Sequence, residues 1–480
     1  MRKYLLSWMI CQLSVVNCQL ASAQRQWTLD ECVQYATEHS NEVLRKILEL
    51  EISKNDLNTA QNEWMPTVSA TVGQQFSFGN ALASTGVMPS TTSEYNADLS
   101  FTGGSIGMEM PLFDGFLTRS RRRAAHWQVE QATASLAHVR KNLAIQVATY
   151  YLQVLYEQGM ADVAQAQVET TRQLCEMTRS LVDEGRNPKS DMADAEAQLA
   201  DDEYLLTECQ GRVRTSLLNL AQLLNLDSVD DFAIADISGD GNDNGNGNEN
   251  GNDGFADALY AEAVGNYPSI LAGKALVEKS RHDISAARAG YYPQLTLRAS
   301  LNTYYLNFFE HQPGIYEQVW NHIDNWLGYR FADAYPQFFR FPLQKHFARQ
   351  LWDNRSELVG LHLTMPLFDH FRTRNNIRRA KMVMAANQLA LDESQQQLRK
   401  EIDQAVLNAR NAAERLRSSQ KSEESGSIAF AFERDKFEAG RSTFYNLTLA
   451  SQRLRTAREN AVQAKYELLI RRKILETYSQ

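Results

Sequence analysis

Met110-Pro111-Leu112-Phe113-Asp114-Gly115-Phe116 has a near copy in Met365-Pro366-Leu367-Phe368-Asp369-His370-Phe371, 255 positions downstream. Each copy follows a strand-like alternation of apolar and polar residues, and each opens a long run at helical spacing. The chain is one structural idea written twice. Arg119, Gly185 and Arg186 are matched by Arg374, Gly440 and Arg441 at the same offset. Ala36, Val43 and Pro66 are matched by Ala263, Ile270 and Pro293 at an offset of 227. The change of offset locates a 28-residue insertion between the two strands of the second copy, within residues 304–352 and rich in Tyr, Phe and Trp.

Upstream of the first motif, Leu29, Cys32, Val33, Ala36, Val43, Ile47, Leu50 and Leu57 recur at helical spacing and predict a helix over about 28–63, with Thr28 as its N-cap. Pro66 ends it. Val68, Ala70, Val72 and Phe76 then alternate with polar residues, which predicts a strand over about 67–78. A second strand is expected over about 98–112. Its apolar parity switches between Phe101 and Ile106, so a bulge is expected at Gly103-Gly104. Downstream, Leu136, Val139, Leu143, Val147, Tyr150 and Val154 step by three and four, the spacing of a coiled-coil seam within a helix of about 117–182. Gly185-Arg186-Asn187-Pro188 is a turn signal, and Ser190 and Asp191 are available to cap a helix of about 190–225. The second repeat, 254–480, is predicted to follow the same order, with strands at about 294–305 and 357–366.

The ends and the middle have their own chemistry. Arg2 and Lys3 precede an apolar run, and Ala21-Ser22-Ala23 forms a small-residue cleavage site, so residues 1–23 read as a signal peptide for export. Cys11 and Cys18 lack the preceding small residues of a lipid-attachment signal. The first repeat occupies 24–238, and GDGNDNGNGNENGND at 239–253 is a flexible linker. Three cysteines remain in the mature chain, an odd number that gives no disulfide framework. A net charge of −9 gives no support to a nucleic-acid partner. The nine histidines are scattered without a carboxylate cluster, and no phosphate loop or nucleophile elbow is present, so the chain reads as non-enzymatic with no cofactor and no metal. Outside the leader, no stretch is long and apolar enough for a membrane helix, so a chain that spans a membrane must do so with strands.

Four strands with one apolar face cannot seal themselves in lipid, so copies must be combined to close a barrel. With its two-fold repeat, paired Pro-Leu-Phe-Asp motifs, strand-opening Pro66 and Pro293, and glycine turns at Gly185 and Gly440, the chain resembles outer-membrane efflux proteins of the TolC-like family over nearly its whole mature length. The fold class expected is mainly α with a membrane β-barrel portion. The resemblance implies a homotrimer with a twelve-stranded barrel and a twelve-helix periplasmic tunnel. It further implies a passive duct in the outer membrane, working with a periplasmic adaptor (membrane fusion) protein and an inner-membrane transporter of the RND or ABC class. Type I secretion is the neighbouring alternative. A periplasmic coiled-coil structural or adaptor protein is the alternative from another class, and the paired strands argue against it.

In that family the turns dock the adaptor's hairpin tips, which assigns Gly185, Arg186, Gly440 and Arg441 to docking; a plain helix-turn-helix with Gly as C-cap is the simpler reading. The resemblance places Asp191 and Asp194 at the periplasmic entrance. Their second-copy equivalents are Asn446 and Leu449, so an acidic ring would come from the first repeat alone. Asp191 serves equally as a partner of the helix dipole. Phe437 aligns with an aromatic gate, or packs the tip. Pro66, Pro111, Pro293 and Pro366 mark the joints between strand and helix. The aromatic insertion is expected to form an external loop rather than a girdle at the membrane interface.

Overall fold

A computed structural model describes residues 26–77, 80–81, 95–96, 99–226, 232–236, 255–308 and 346–479. The leader at 1–23, the linker at 239–253 and most of the aromatic insertion lie outside the described residues. The helices are α1 (Leu29–His39), α2 (Asn41–Asn62), α3 (Leu117–Asp183), α4 (Lys189–Leu223), α5 (Phe255–Asn266), α6 (Pro268–Arg288), α7 (Phe347–Asp353), α8 (Arg372–Glu438) and α9 (Phe444–Ser479). The strands are β1 (Gln26–Trp27), β2 (Thr67–Ser77), β3 (Asn80–Ala81), β4 (Tyr95–Asn96), β5 (Leu99–Phe113), β6 (Ala233–Ile234), β7 (Gln294–Phe308) and β8 (Ser356–Thr364). Two compact units cut across the repeats rather than following them. One, mainly helical, comprises Met1–Asp56, Ala125–Ser280 and Val383–Gln480; the other, Leu57–Ala124 and Arg281–Met382, carries the main sheet. Among the described residues no helix is long and apolar enough to cross a membrane.

In the helical unit the repeat is visible in the core. Cys32, Ala36, Val43, Leu136, Leu143 and Val147 are buried, and so are Leu259, Ala263, Ile270, Leu391, Leu398 and Ile402 at the equivalent positions. Each large aliphatic side chain so buried contributes about 1.5–3 kcal/mol, so each repeat builds the same cluster from the same faces. One step of the expected seam differs. Tyr150 is exposed and Tyr151 is fully buried, because the stripe on α3 runs Val147, Tyr151, Val154, a four-then-three step. The Tyr151 hydroxyl donates to the carbonyls of Trp27 at 3.0 Å and Ala235 at 2.6 Å. That satisfies its polar end and ties the α3 core to the β1–β6 pair. Burial pushes the phenol up to about 12.

The expected single helix at 28–63 is two. Thr28 does cap the first, through a capping box with Glu31. Ser40 then adopts extended backbone (φ −64°, ψ 128°), while its amide still donates to Ala36 O. The Ser40 hydroxyl accepts from the Glu42 amide at 3.3 Å, so a residue that competes for backbone hydrogen bonds ends one helix and starts the next. The second repeat breaks at the same place, at Tyr267, where Pro268 begins α6.

In the second unit, β2, β5, β7 and β8 form one antiparallel sheet in that order, so its central pair joins the two repeats. Register rows sort the faces. Val68, Met108, Ala299 and Val359 stand in one row, and Thr67, Glu109, Arg298 and Gly360 in the next. One face is therefore apolar and the other polar, with an Arg298–Glu109 ion pair at 3.1 Å on the polar side. The bulge expected at Gly103-Gly104 is absent: the ladder runs unbroken there and shifts register between Pro111 and Phe113. Pro111 lacks an amide donor, so the ladder gives way at proline rather than glycine. Pro66 and Pro293 precede β2 and β7, Pro111 lies inside β5, and Pro366 follows the end of β8 at Thr364; β8 is thus shorter than the expected 357–366.

The repeated motif makes a hook. Asp114 accepts from the Thr118 amide at 2.6 Å, and Asp369 accepts from the Thr373 amide at 2.7 Å, so each aspartate satisfies an unpaired donor at the start of a 67-residue helix. The Thr373 hydroxyl and amide hold the Asp369 carboxyl below the usual carboxylate range. Between Asp and helix the backbone turns left-handed twice, at Gly115 and Phe116 and again at His370 and Phe371.

Candidate functional site at the paired helical turns

α3 ends in a Schellman motif. The Arg186 amide donates to Leu181 O at 2.9 Å, and the Gly185 amide donates to Val182 O at 3.0 Å. The second turn repeats it: Arg441 donates to Lys436 O at 2.8 Å, and Gly440 to Phe437 O at 3.0 Å. Gly185 and Gly440 sit at φ +73° and +69°, the left-handed geometry the motif requires. A Cβ at Gly440 would lie 3.6 Å from the Arg186 guanidinium, so the two turns are neighbours and Arg186 reaches across. Arg186 also pairs with Glu184 at 3.5 Å while staying half exposed, and Arg441 is exposed. The four proposed docking residues are thus brought together on one surface.

Beneath them lies a core cluster of Leu174, Cys175, Leu181, Ala195, Phe437, Phe444 and Leu447, drawn from α3, α4, α8 and α9. Phe437 is 1% exposed and meets Phe444 edge-on, with centroids 6.2 Å apart. The structure puts this side chain in packing, away from open solvent.

The N-cap of α4 is Pro188, with no side-chain cap. Ser190 and Asp191, expected as caps, lie inside the first turn; proline fixes the entry and leaves the carboxylate to face Asn187 instead. The Asn187 amide group donates to Asp191 Oδ2 at 3.2 Å. Asp191 is half-buried and Asp194 is exposed. On the second turn the Ser442 hydroxyl donates to Glu433, and with Lys436 it holds the Glu433 carboxyl below the usual range.

A second buried cluster lies deeper along these helices, and no motif in the sequence marks it. Asp202 is 3% exposed. Its Oδ2 accepts from the Thr171 hydroxyl at 2.6 Å and from Gln167 Nε2 at 3.2 Å, and its Oδ1 accepts from Gln198 Nε2 at 3.0 Å. Gln167 also reaches Ser451 Oγ of α9 at 3.1 Å. The available signal was a helix stripe continuing through polar residues: Gln167, Thr171, Leu174 and Thr178 step by four, three and four, and all four are buried.

Residues 32–226 and 341–479 match the sequence model of the family described as outer membrane efflux protein. The outer membrane efflux protein BepC of Brucella suis is 20% identical over 403 residues, covering 81% of this chain and 76% of that protein. Among solved structures, the outer membrane protein VceC of Vibrio cholerae is similar with a TM-score of 0.69 at 13% identity, over 94% of this chain and 96% of that one. The Campylobacter jejuni CmeC outer membrane channel is similar with a TM-score of 0.70 at 12% identity, over 94% and 85%.

Proposed function

This chain belongs to the outer membrane efflux protein family, and from that premise we propose that it is a passive outer-membrane duct built from three copies. The observation that carries the reading is the sheet. Its strands of 11, 15, 15 and 9 residues suit a tilted membrane crossing, which takes about 9–11 residues. One face is apolar and exposed, with Val72 82%, Val359 75% and Leu361 65% accessible. Among the described residues β2 and β8 are each paired on one side only. Lipid tolerates no open edge, so β2 of one copy pairs with β8 of the next and three sheets close twelve strands. The apolar face meets lipid and the polar face lines water.

The helices then extend into the periplasm as a tunnel of twelve. The turns carrying Gly185, Arg186, Gly440 and Arg441 receive a periplasmic adaptor, and an inner-membrane transporter of the RND or ABC class supplies the energy. Type I secretion uses the same duct; a coiled-coil adaptor has no use for an apolar four-stranded sheet. The test is membrane fractionation with gel mobility before and after heating. The chain is expected in the outer membrane fraction, migrating as a heat-dissociable trimer. A fully soluble monomer overturns the reading.

At the entrance, Asp191 supplies one carboxylate per copy, steadied by Asn187, while Phe437 supports the turns from inside. Asp191→Asn is expected to weaken divalent-cation block of single-channel current in planar bilayers by roughly tenfold, the effect of removing about 1.4 kcal/mol of charge-dependent binding. Unchanged block takes Asp191 out of the pore.

A further inference from the structure

The exchange of apolar parity along β5 has no bulge to explain it. From Ser105 to Glu109 the polar face carries Ser105, Gly107 and Glu109, in register with Asn302, Ser300 and Arg298 of β7 and Thr71, Ser69 and Thr67 of β2. Further along, with register intact, that same face receives first Tyr304, opposite Gly103, and then Phe101, opposite Gln75. The other face there carries a Thr102–Gln74 hydrogen bond of 3.1 Å. An aromatic pair has therefore been put, beside Leu306, on the face that is polar in the lower rows.

Gly103 makes this possible. Gly73 and Gly103 are directly opposed. A Cβ on Gly103 would lie 2.7 Å from the Phe101 ring, so the ring lies down over that glycine, while nothing stands within 4 Å of a Cβ on Gly73. Lying over the glycine, Phe101 stacks on Tyr304 with centroids 5.7 Å apart and planes 24° apart. Both rings stay accessible, at 37% and 44%.

We propose that Phe101 and Tyr304 form a contact site on the water-lined face of the barrel that retains flat aromatic solutes as they pass. The site rests on the barrel reading above, which turns this face inward and brings three such pairs into one passage. An exposed ring face binds another ring by offset or edge-on contact, and it attracts cations through its quadrupole. A planar aromatic cation satisfies both preferences. The surrounding Ser, Thr and Asn side chains of the lower rows offer water-like contacts and no such preference.

The test is single-channel recording of the purified full-length chain in planar bilayers, with proflavine as probe and tetrabutylammonium as a non-aromatic cation for comparison. Proflavine is expected to interrupt the wild-type current, with dwell times about 3–10-fold longer than in Phe101→Leu or Tyr304→Leu. Tetrabutylammonium dwell times are expected to be the same in all three proteins. Equal proflavine dwell times in wild type and variants overturn the proposal and leave a cross-strand contact that serves stability alone. A parallel loss for tetrabutylammonium reduces the pair to a bulk constriction and also overturns it. If the wild type forms no channel at all, the barrel reading itself fails, a result distinct from channels that open normally but treat both probes alike.

Discussion

Phe437→Ala lowers the stability of the helical unit by about 3–5 kcal/mol, the cost of truncating a fully buried phenylalanine. The side chain is 1% exposed and is surrounded by Leu174, Cys175, Leu181, Phe444 and Leu447. Removing its ring leaves a cavity under both turns, because the cluster it fills draws on the helices that flank each of them. Thermal unfolding of the detergent-purified protein, followed by helical circular dichroism, should show an earlier melt. A gate residue behaves in the opposite way: its loss raises open-channel current and leaves the melt unchanged. An unchanged melting curve would return Phe437 to the pore.

Gly115→Ala should be nearly as damaging, at about 2–5 kcal/mol. Two costs add. Gly115 sits at φ +70°, where any L side chain costs about 1–2 kcal/mol. A Cβ there would also lie 2.7 Å from Tyr292 Cβ and 2.8 Å from the Ala289 carbonyl oxygen, an overpacking cost of about 1–3 kcal/mol. The neighbouring atoms are backbone and Cβ, which cannot swing away. His370 is the matched control, since it occupies the equivalent place at φ +57°. His370→Gly releases left-handed strain while loosening the unfolded chain, and the two effects offset to within about 1 kcal/mol. The yield of folded protein in the outer membrane and its melting temperature read both variants. Equal tolerance at the two sites would show that the first hook does not depend on close approach.

The large features were legible because each was written twice. The Pro-Leu-Phe-Asp copies located the helix starts, and the Gly-Arg copies located the turns, down to the paired Schellman motifs. Periodicity found the strands within a few residues, since one face of each is apolar. What escaped was chosen by local competition. Ser40 reads equally well inside a helix or between two, and only its bonds to Ala36 and Glu42 decide. Gly103-Gly104 looked like a bulge because parity changes there, yet Gly103 makes room for the Phe101 ring and the ladder continues. Ser190 has the chemistry of a cap, but Pro188 had already fixed the start of α4. Asp202 was invisible as a core residue because an acidic side chain on a helix defaults to the solvated face. Two of its partners, Thr171 and Gln167, lie 31 and 35 residues away on another helix.

The one-sided pairing of β2 and β8 carries a genetic consequence. In the ring proposed above, each copy is both donor and acceptor of an edge, so no copy can be defective by itself. A chain spoiled only along β8 still presents a sound β2 and enters a growing ring, where it leaves a neighbour's strand without a mate. With equal amounts of sound and spoiled chains mixing at random, about one ring in eight is wholly sound. Lesions in the edge strands are therefore dominant, whereas lesions that unfold the helical unit before assembly remove only their own copy and are recessive.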